Sequence, residues 1–526
     1  MKLRAAIITD HLSLAKWQIQ ALNHANDDIE IVCILNCLNT KNKKNILKNF
    51  FYYALSFLSL KNNATKKYLF ADHNAEIINF DSSYVNNWQT IPNKIITKLF
   101  DQKIEVVIKF GMHLLTVDEK LSKLNVLSFH HGNPSKYRGR PAGFYEIFNG
   151  EKKSGVIVQK ISNELDAGTI YAFAESKVIN FSYKQTALNF YSVSKYLLRT
   201  AIINLNQNKE IVILKNGKNY RLPSNLTVLL FVFKIISNFT QKIIYGLFYE
   251  KRWNVAIASN KLMFHGKESL SSSALTTIPI AKNYNFYADP FFSLDGKSIR
   301  VEALGNQSGL GDILEISLKN HREQKVLMTG KHYSYPFAFN YNNQEYLLPE
   351  VANHSSQYAV SLEKDQFQIP IQGLDDKRIV DATLYNQGGW WYLFFGFANN
   401  AHTILNLWIS NDLSKSFFPH PSSPICFSPS SARMAGGITL LNSKLLRFGQ
   451  NNEGQYGESL SVLEINELSP TNYSETHCGS IFLESAKGPH SLNVSADLTK
   501  IVIDYYEDKF SLFAGVRRIK QKILMR

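Results

Sequence analysis

The sequence predicts two dissimilar units: an α/β unit built on a Rossmann-like, mostly parallel sheet, followed by an all-β five-bladed propeller. Three observations carry this reading. Up to about residue 205, short apolar runs of strand length alternate with helical patterns, as in a parallel sheet covered by helices. Beyond about residue 256, aromatic and β-branched runs recur between turns such as Asp295-Gly296, Asn342-Asn343 and Gly388-Gly389. A short pattern also repeats within that C-terminal region, in ADPFFSLDG from Ala288, SYPFAFNYNN from Ser334, VDATLYNQGG from Val380, MAGGITLLNS from Met434 and PHSLNVSADL from Pro489. Its marker positions 289, 335, 381, 435 and 490 are spaced by 46, 46, 54 and 55 residues, the period of a four-stranded propeller blade.

A chain of 526 residues is too long for a single core. The first unit is expected over residues 1–205. Ala5 to Thr9 reads as a buried strand, Ser13 to Leu22 as a helix, and Ile29 to Leu35, Ile104 to Lys109 and Val126 to Phe129 as further strands. Ligands of such sheets bind beyond the carboxyl ends of the strands. The first strand is not followed by GxGxxG, and there is no Walker lysine loop, so dinucleotide binding and NTP hydrolysis have no support. Residues 206–255 read as a linker containing an amphipathic helix, and 256–526 as the propeller.

Two segments stand apart. Lys41 to Lys67 holds seven lysines and no acid around the apolar patch Phe50 to Leu60, and Leu226 to Trp253 is apolar and aromatic, broken by Lys234, Lys242, Lys251 and Arg252. Each fits a helix resting on an anionic bilayer, or a helix packed on its own domain. The net charge of +15 favours acidic partners in general: nucleic acid, phosphorylated substrates or an anionic membrane. Cys33, Cys37, Cys426 and Cys478 show no metal-ligand spacing and read as buried, reduced thiols, and no metal is expected. The N-terminus offers no signal-peptide pattern, and no uninterrupted apolar run reaches the roughly 18 residues of a spanning helix. The expected location is cytoplasmic, with at most peripheral contact to the inner face of the membrane.

The densest chemistry lies in VLSFHHGNPSKYRGRPAGFYEIFNGEKKSGVIVQKISNELDAGTI, from Val126 to Ile170. A His pair ends a strand, Lys136-Tyr137-Arg138-Gly139 makes a turn, and Asp166-Ala167-Gly168 follows, with His130 and Asp166 36 residues apart. A histidine oriented by a carboxylate can stabilise charge and move protons. This pattern resembles the catalytic core of the 10-formyltetrahydrofolate-dependent formyltransferases, which include glycinamide ribonucleotide, methionyl-tRNA and sugar N-formyltransferases. The resemblance covers about residues 1–200 and implies the formyltransferase fold. It places His130 and Asp166 as catalytic groups and Gly111, Met112, His113, Leu114 and Leu115 as the loop whose backbone holds the folate. Asn149-Gly150-Glu151 and Gly155 to Gln159 fit as well. Where the family has a catalytic Asn this chain has Ser128, whose hydroxyl reaches less far, with Asn133 or His131 as candidate replacements. Arg138 and Gly139 are candidate acceptor-binding residues.

The implied reaction moves a formyl group from 10-formyltetrahydrofolate, as co-substrate, to an amine. The methionyl-tRNA enzymes carry a small β-barrel after this core. Here an apolar helix and a propeller follow, which disfavours a nucleic-acid partner and favours the amine of an amino sugar in a surface glycan. The propeller looks like the N-terminal module of plant glucosamine inositolphosphorylceramide transferases and is more distantly similar to five-bladed glycoside hydrolases. Its expected axis-facing residues are Asp289, Tyr335, Asp381 and His490, then Glu302, Glu350, Gln450 and Asp504. Of these, Asp289, Glu302, Glu350 and Asp381 are candidate sugar-binding groups, with Tyr335, Trp390 and Trp391 as stacking rings. The alternatives are a glycan-binding or glycoside-processing propeller behind a degenerate formyltransferase domain, and a methionyl-tRNA formyltransferase-like activity. Nothing in the sequence sets an oligomeric state.

Overall fold

The computed structural model describes residues 2–39, 47–70, 75–85, 88–352, 354, 356–363 and 367–524, without the side chains of 521, 522 and 524. It divides into two units, Met1–Phe239 and Thr240–Arg526.

The first unit is organised by a seven-stranded sheet. Its order is Thr169–Lys177, Lys153–Lys160, Asn125–His131, Val106–Lys109, Leu3–Thr9, Ile29–Cys37 and Glu76–Phe80. The five strands from Asn125–His131 to Glu76–Phe80 run parallel, and Lys153–Lys160 and Thr169–Lys177 close one edge antiparallel. The central runs are apolar on both faces: Ala5, Ala6, Ile7, Ile8, Val106, Val107 and Ile108 are all fully buried. That is the signature of a parallel sheet sandwiched by helices. The helix expected from Ser13 starts at Lys16, because Ser13–Ala15 pair with Lys67–Leu69. The strand expected to end at Phe129 runs on to His131, because His130 and His131 pair with Ile157 and Val156.

In the second unit five sheets follow one another as propeller blades. Three are built from consecutive strands beginning at Tyr284, Tyr333 and Ile379. The fourth runs from Arg433 to Leu483 and adds Gly266–Leu270 in parallel at its edge. The fifth combines both ends of the unit, since Tyr249–Ser259 pairs along its whole length with Lys500–Phe510. This pairing closes the ring, and it places residues 249–255, expected in the linker, inside a blade. The repeated marker has a physical basis. Asp289, Tyr335 and Asp381 all take left-handed backbone conformations (φ 48°, 48° and 51°), each within a bulge that interrupts the innermost strand of its blade. Such a bulge turns a side chain toward the axis in every blade where it recurs.

One ion pair in the fourth blade has a fully buried arginine and a largely buried glutamate. Arg447 is 0% exposed and donates from Nε and Nη2 to Glu475 at 2.7 and 2.6 Å, and from Nη1 to the Ser431 carbonyl at 2.8 Å. Removing one partner leaves a buried charge uncompensated. Glu475→Ala is expected to lower stability by about 3–5 kcal/mol, measurable as a lower urea midpoint.

Asn225–Phe248 is one unbroken 24-residue helix. Lys234 and Lys242 interrupt its apolar run, yet by length and composition it is long and apolar enough to cross a membrane. A count of uninterrupted apolar residues does not register this, because a helix tolerates an isolated lysine that a run count does not. Of the lysine-rich segment, residues 41–46 lie outside the described residues. Phe50–Leu60 forms the expected helix. All four cysteines are free thiols.

Candidate active site

His130 lies on the strand Asn125–His131, buried, with its ring between two oxygens. Nδ1 faces Asp166 Oδ1 at 3.3 Å, and Nε2 lies 3.1 Å from the Tyr137 carbonyl. Both oxygens only accept, so the ring donates through whichever nitrogen carries a proton. The structure thus brings His130 and Asp166 together. The turn that carries Asp166, and the short strand Tyr137–Gly139 it faces, are built to do so. Asp166 sits in the left-handed region (φ 50°), and its Oδ2 accepts the Gly139 amide at 2.8 Å. A side chain on Gly139 (φ 83°) would lie 2.2 Å from the Tyr220 carbonyl, and one on Gly168 would lie 2.0 Å from the Lys160 carbonyl. The glycines of the two motifs are therefore required by close backbone approach.

Arg138 does not reach outward. Its guanidinium donates to the Leu165 carbonyl (Nε, 3.0 Å), to the Lys215 carbonyl (3.2 Å) and to Glu164 (2.8 Å). It fixes the loop that presents Asp166. Arg138 and Gly139 both help hold Asp166 in place, and both also line the small cavity beside His130.

Residues 111–115 are pinned at the ends of the parallel strands. The Met112 amide donates to Asp10 Oδ1 at 2.7 Å, the His113 amide to Gln89 Oε1 at 2.9 Å, and the Leu114 carbonyl accepts from the Gln89 amide at 2.7 Å. Met112 and Leu115 are buried in the sheet's core, while His113 is exposed.

Ser128 occupies the place of the family Asn, two residues before His130 and so on the same face of the sheet. Neither expected replacement reaches it. His131, adjacent to His130 in the strand, points to the other face. There it bonds Ser194 Oγ at 3.0 Å among Trp17, Phe190 and Tyr191, and burial pushes its pKa down to about 3. Asn133 Oδ1 is engaged by the amide and hydroxyl of Ser135 at 3.0 and 2.8 Å. The group that stands beside Ser128 is Lys109, its register partner on the neighbouring parallel strand and therefore on its face of the sheet. The Lys109 ammonium lies 3.1 Å from the His113 carbonyl. Burial lowers its pKa to about 8, against the opposing influence of Asp10 and Asp166. A second unforeseen group is Glu146, which lines a small cavity with His130, Tyr137 and Arg140. Its carboxyl is almost wholly buried, accepts from Ser154 Oγ at 2.9 Å, and is pushed up to about 7 by that burial.

The propeller holds a second cluster, fed by all five blades. His490 Nδ1 lies 3.0 Å from Asp504 Oδ2 and 3.3 Å from Asp289 Oδ1, and Nε2 lies 2.7 Å from the Tyr456 hydroxyl. Glu302 approaches His332 at 3.6 Å, Glu350 approaches Arg378 at 3.8 Å, and Asp381 is held by Arg433 and Gln450. Burial, then Asp289 and Glu350, raise the Glu302 carboxyl well above its usual range, and burial, then Asp381, bring Glu350 to about 7. Burial disfavours charge on His490, but Tyr456, Asp504 and Asp289 outweigh it and raise its pKa well above the ordinary value. Asp289, His490 and Asp504 are close enough together to surround a cation. Asp504 is already satisfied, however, accepting from the amides of Asp289, His490 and Ser491 as well as from the imidazole. This donor set fits protons rather than a metal. Gln450 Oε1 is buried without a hydrogen bond, and Asp289 Oδ1 is buried facing the His490 imidazole.

Tyr335 is not an open channel group. It is fully buried, with its hydroxyl shared among Thr383 Oγ1, the Gly436 carbonyl and the Gly436 amide, and so it ties three blades together. Trp390 and Trp391 lie at the hairpin end of their blade, nine and ten residues from Asp381 in sequence. Their strand partners Gln387 and Asn386 are five or six strand positions away, about 15–20 Å at ~3.3 Å per residue. They pack with Phe418, Phe339 and Tyr341, away from the axis.

Residues 273–500 match the family model described as glucosamine inositolphosphorylceramide transferase 1, N-terminal. The protein of that name from Oryza sativa subsp. japonica is 28% identical over 225 residues, 40% of this chain, and the chain spans only 30% of that relative's length. Methionyl-tRNA formyltransferase from Mycoplasma mycoides subsp. mycoides is 33% identical over 93 residues, 16% of this chain and 29% of that protein. Among solved structures, phosphoribosylglycinamide formyltransferase from Anaplasma phagocytophilum is 15% identical, covers 43% of this chain and 96% of its own, and has a TM-score of 0.29. This chain thus shares a 93-residue stretch with a methionyl-tRNA formyltransferase, and its five-bladed propeller matches the family described as glucosamine inositolphosphorylceramide transferase 1, N-terminal, over residues 273–500.

Proposed function

We propose that this protein transfers a formyl group from 10-formyltetrahydrofolate to the amine of an amino sugar. The pairing of His130 with Asp166 at 3.3 Å, at the carboxyl end of a parallel sheet, carries the reading. The acceptor amine attacks the formyl carbon, the new C–N bond forms, and charge collects on the formyl oxygen. Asp166 takes the proton released by the amine. His130 delivers a proton to the folate nitrogen as its bond to the formyl carbon breaks. For this His130 exchanges the Tyr137 carbonyl for substrate, a change of partner common when ligand-free sites close on their substrates. The Lys109 ammonium, beside Ser128, donates to the developing oxyanion where the serine hydroxyl falls short.

An amino sugar as acceptor is supported by the propeller. Its relative from rice carries glucosamine in its name. Its axial carboxylates, with the unbonded Gln450 Oε1, suit the hydroxyls of a glycan, and binding of such a glycan at the axis is included in the proposal. The test is incubation with 10-formyltetrahydrofolate and a panel of free and nucleotide-linked amino sugars, read by mass spectrometry. Gain of a formyl group on an amino sugar, lost in Asp166→Asn, is the expected result. Formylation of methionyl-tRNA but of no amino sugar would overturn the choice of acceptor.

A further inference from the structure

We infer that the helix Asn225–Phe248 docks the protein onto an anionic lipid surface, lying in the plane of the membrane rather than through it. Surface helices of globular proteins turn an apolar stripe toward the core and a polar face outward. Here the inner face is apolar, with Val228 and Phe231 buried against Phe144 and Tyr183. The outer face is apolar too. Leu229, Phe233 and Ile236, then past Thr240 the residues Ile243, Ile244 and Leu247, lie along one side of the helix, and each is between 45% and 72% exposed. An exposed apolar strip of this length on a soluble surface marks an interaction site.

Two arguments choose lipid. The helix contains no Asp or Glu, and its two charges, Lys234 and Lys242, lie off the stripe. The second unit repeats the pattern in Ala514–Leu524, where Val516, Ile519 and Ile523 are exposed alongside Arg517, Arg518 and Lys520, again with no acid. Basic residues beside exposed apolar faces are the signature of a helix held at an anionic interface. A second copy of this chain would instead bring a net charge of +15 against +15, which opposes association.

A further two observations exclude a spanning role. Through its first half the helix is fastened to the first unit: Lys234 Nζ donates to the Phe148 carbonyl at 2.9 Å and Asn238 to the Asn180 carbonyl at 2.9 Å. Its last turns are fastened to the second unit by Arg518, which caps the Tyr245 carbonyl at 3.3 Å, and by Tyr245, which donates to Asp508. No stretch near the ~20 residues needed to cross is left free of these attachments.

The test is co-sedimentation of the full chain with phosphatidylcholine vesicles, with and without phosphatidylserine, beside the double variant Phe233→Glu/Ile244→Glu. Both positions are exposed, so circular dichroism should show the variant folded. Wild type is expected to bind the phosphatidylserine vesicles, more weakly at high salt, and the variant to bind at least about tenfold more weakly. Three results would overturn the inference: no binding of folded wild type to phosphatidylserine vesicles, equal binding of variant and wild type, or a concentration-dependent dimer, abolished by the double variant, in a protein that ignores vesicles. The last would assign the stripe to a second copy.

Discussion

Replacing His130 with alanine is expected to lower formyl transfer by about a thousandfold while leaving the fold intact, because a positioned acid–base group contributes roughly 10²–10⁴. The ring makes no contact that the sheet depends on. Its strand is held by backbone pairing to Ile157, and its two polar neighbours, Asp166 and the Tyr137 carbonyl, remain anchored without it. Asp166→Asn should be comparably damaging for a different reason. The amide still fills the loop and can accept the Gly139 amide, but it cannot take the proton of the attacking amine. Steady-state rates with the acceptor found by mass gain, together with urea midpoints, separate the two effects from misfolding. A His130→Ala variant with near wild-type turnover would remove this residue from the mechanism.

The second large effect concerns Lys109. Loss of a preorganised oxyanion donor costs about 10²–10³ in rate, and Lys109→Met is expected to fall in that range. The pH dependence supplies the signature. Burial holds the Lys109 pKa at about 8, so the ammonium is present below that pH and is lost above it. Wild-type activity should therefore decline as pH rises through about 8, and the decline should vanish in Lys109→Met. Placing the family amide back is the stricter check: Ser128→Asn added to Lys109→Met should recover much of the lost rate, since the amide reaches where the serine hydroxyl does not. No recovery, with the alkaline decline still present in Lys109→Met, would show that the lysine serves the His113 carbonyl alone.

These two residues also show what the sequence can and cannot reveal. His130 and Asp166 are legible because each is attached to a rigid local pattern, the strand end and the YRG and DAG motifs, although Tyr137–Gly139, read as a turn, is a short strand paired with Lys218–Tyr220. Lys109 is not legible in that way. Its meaning comes from register, since only the parallel pairing Lys109↔Ser128 sets it beside the substituted position. Arg138 is the opposite case. Its sequence position suggests a ligand group, and only the structure shows its main-chain partners at Leu165 and Lys215. Glu146 carries no motif at all, and only its complete burial marks it.

In the propeller the period of the markers is visible because the same left-handed bulge recurs at Asp289, Tyr335 and Asp381, and that bulge needs the same short pattern each time. The pattern fixes where a side chain starts but not what it meets. Asp289 and Asp381 open onto the axial cluster, whereas the Tyr335 hydroxyl is consumed by Thr383 and Gly436. Arg433 and Tyr456 complete the cluster from a short strand and a loop, and no repeat points to them. The apolar helix is recognisable as unusual from composition, but only its exposed stripe shows that both of its faces are apolar.

The central claim is that the first unit binds and uses a formyl-folate. The most direct measurement is isothermal titration calorimetry of the full chain with a stable 10-formyltetrahydrofolate analogue, wild type beside Asp166→Ala. Saturable binding to wild type, clearly weakened by the substitution, is the predicted result and would place folate at His130 and Asp166. Absence of binding to folded wild type would contradict the account and leave the propeller axis as the seat of whatever chemistry this protein performs.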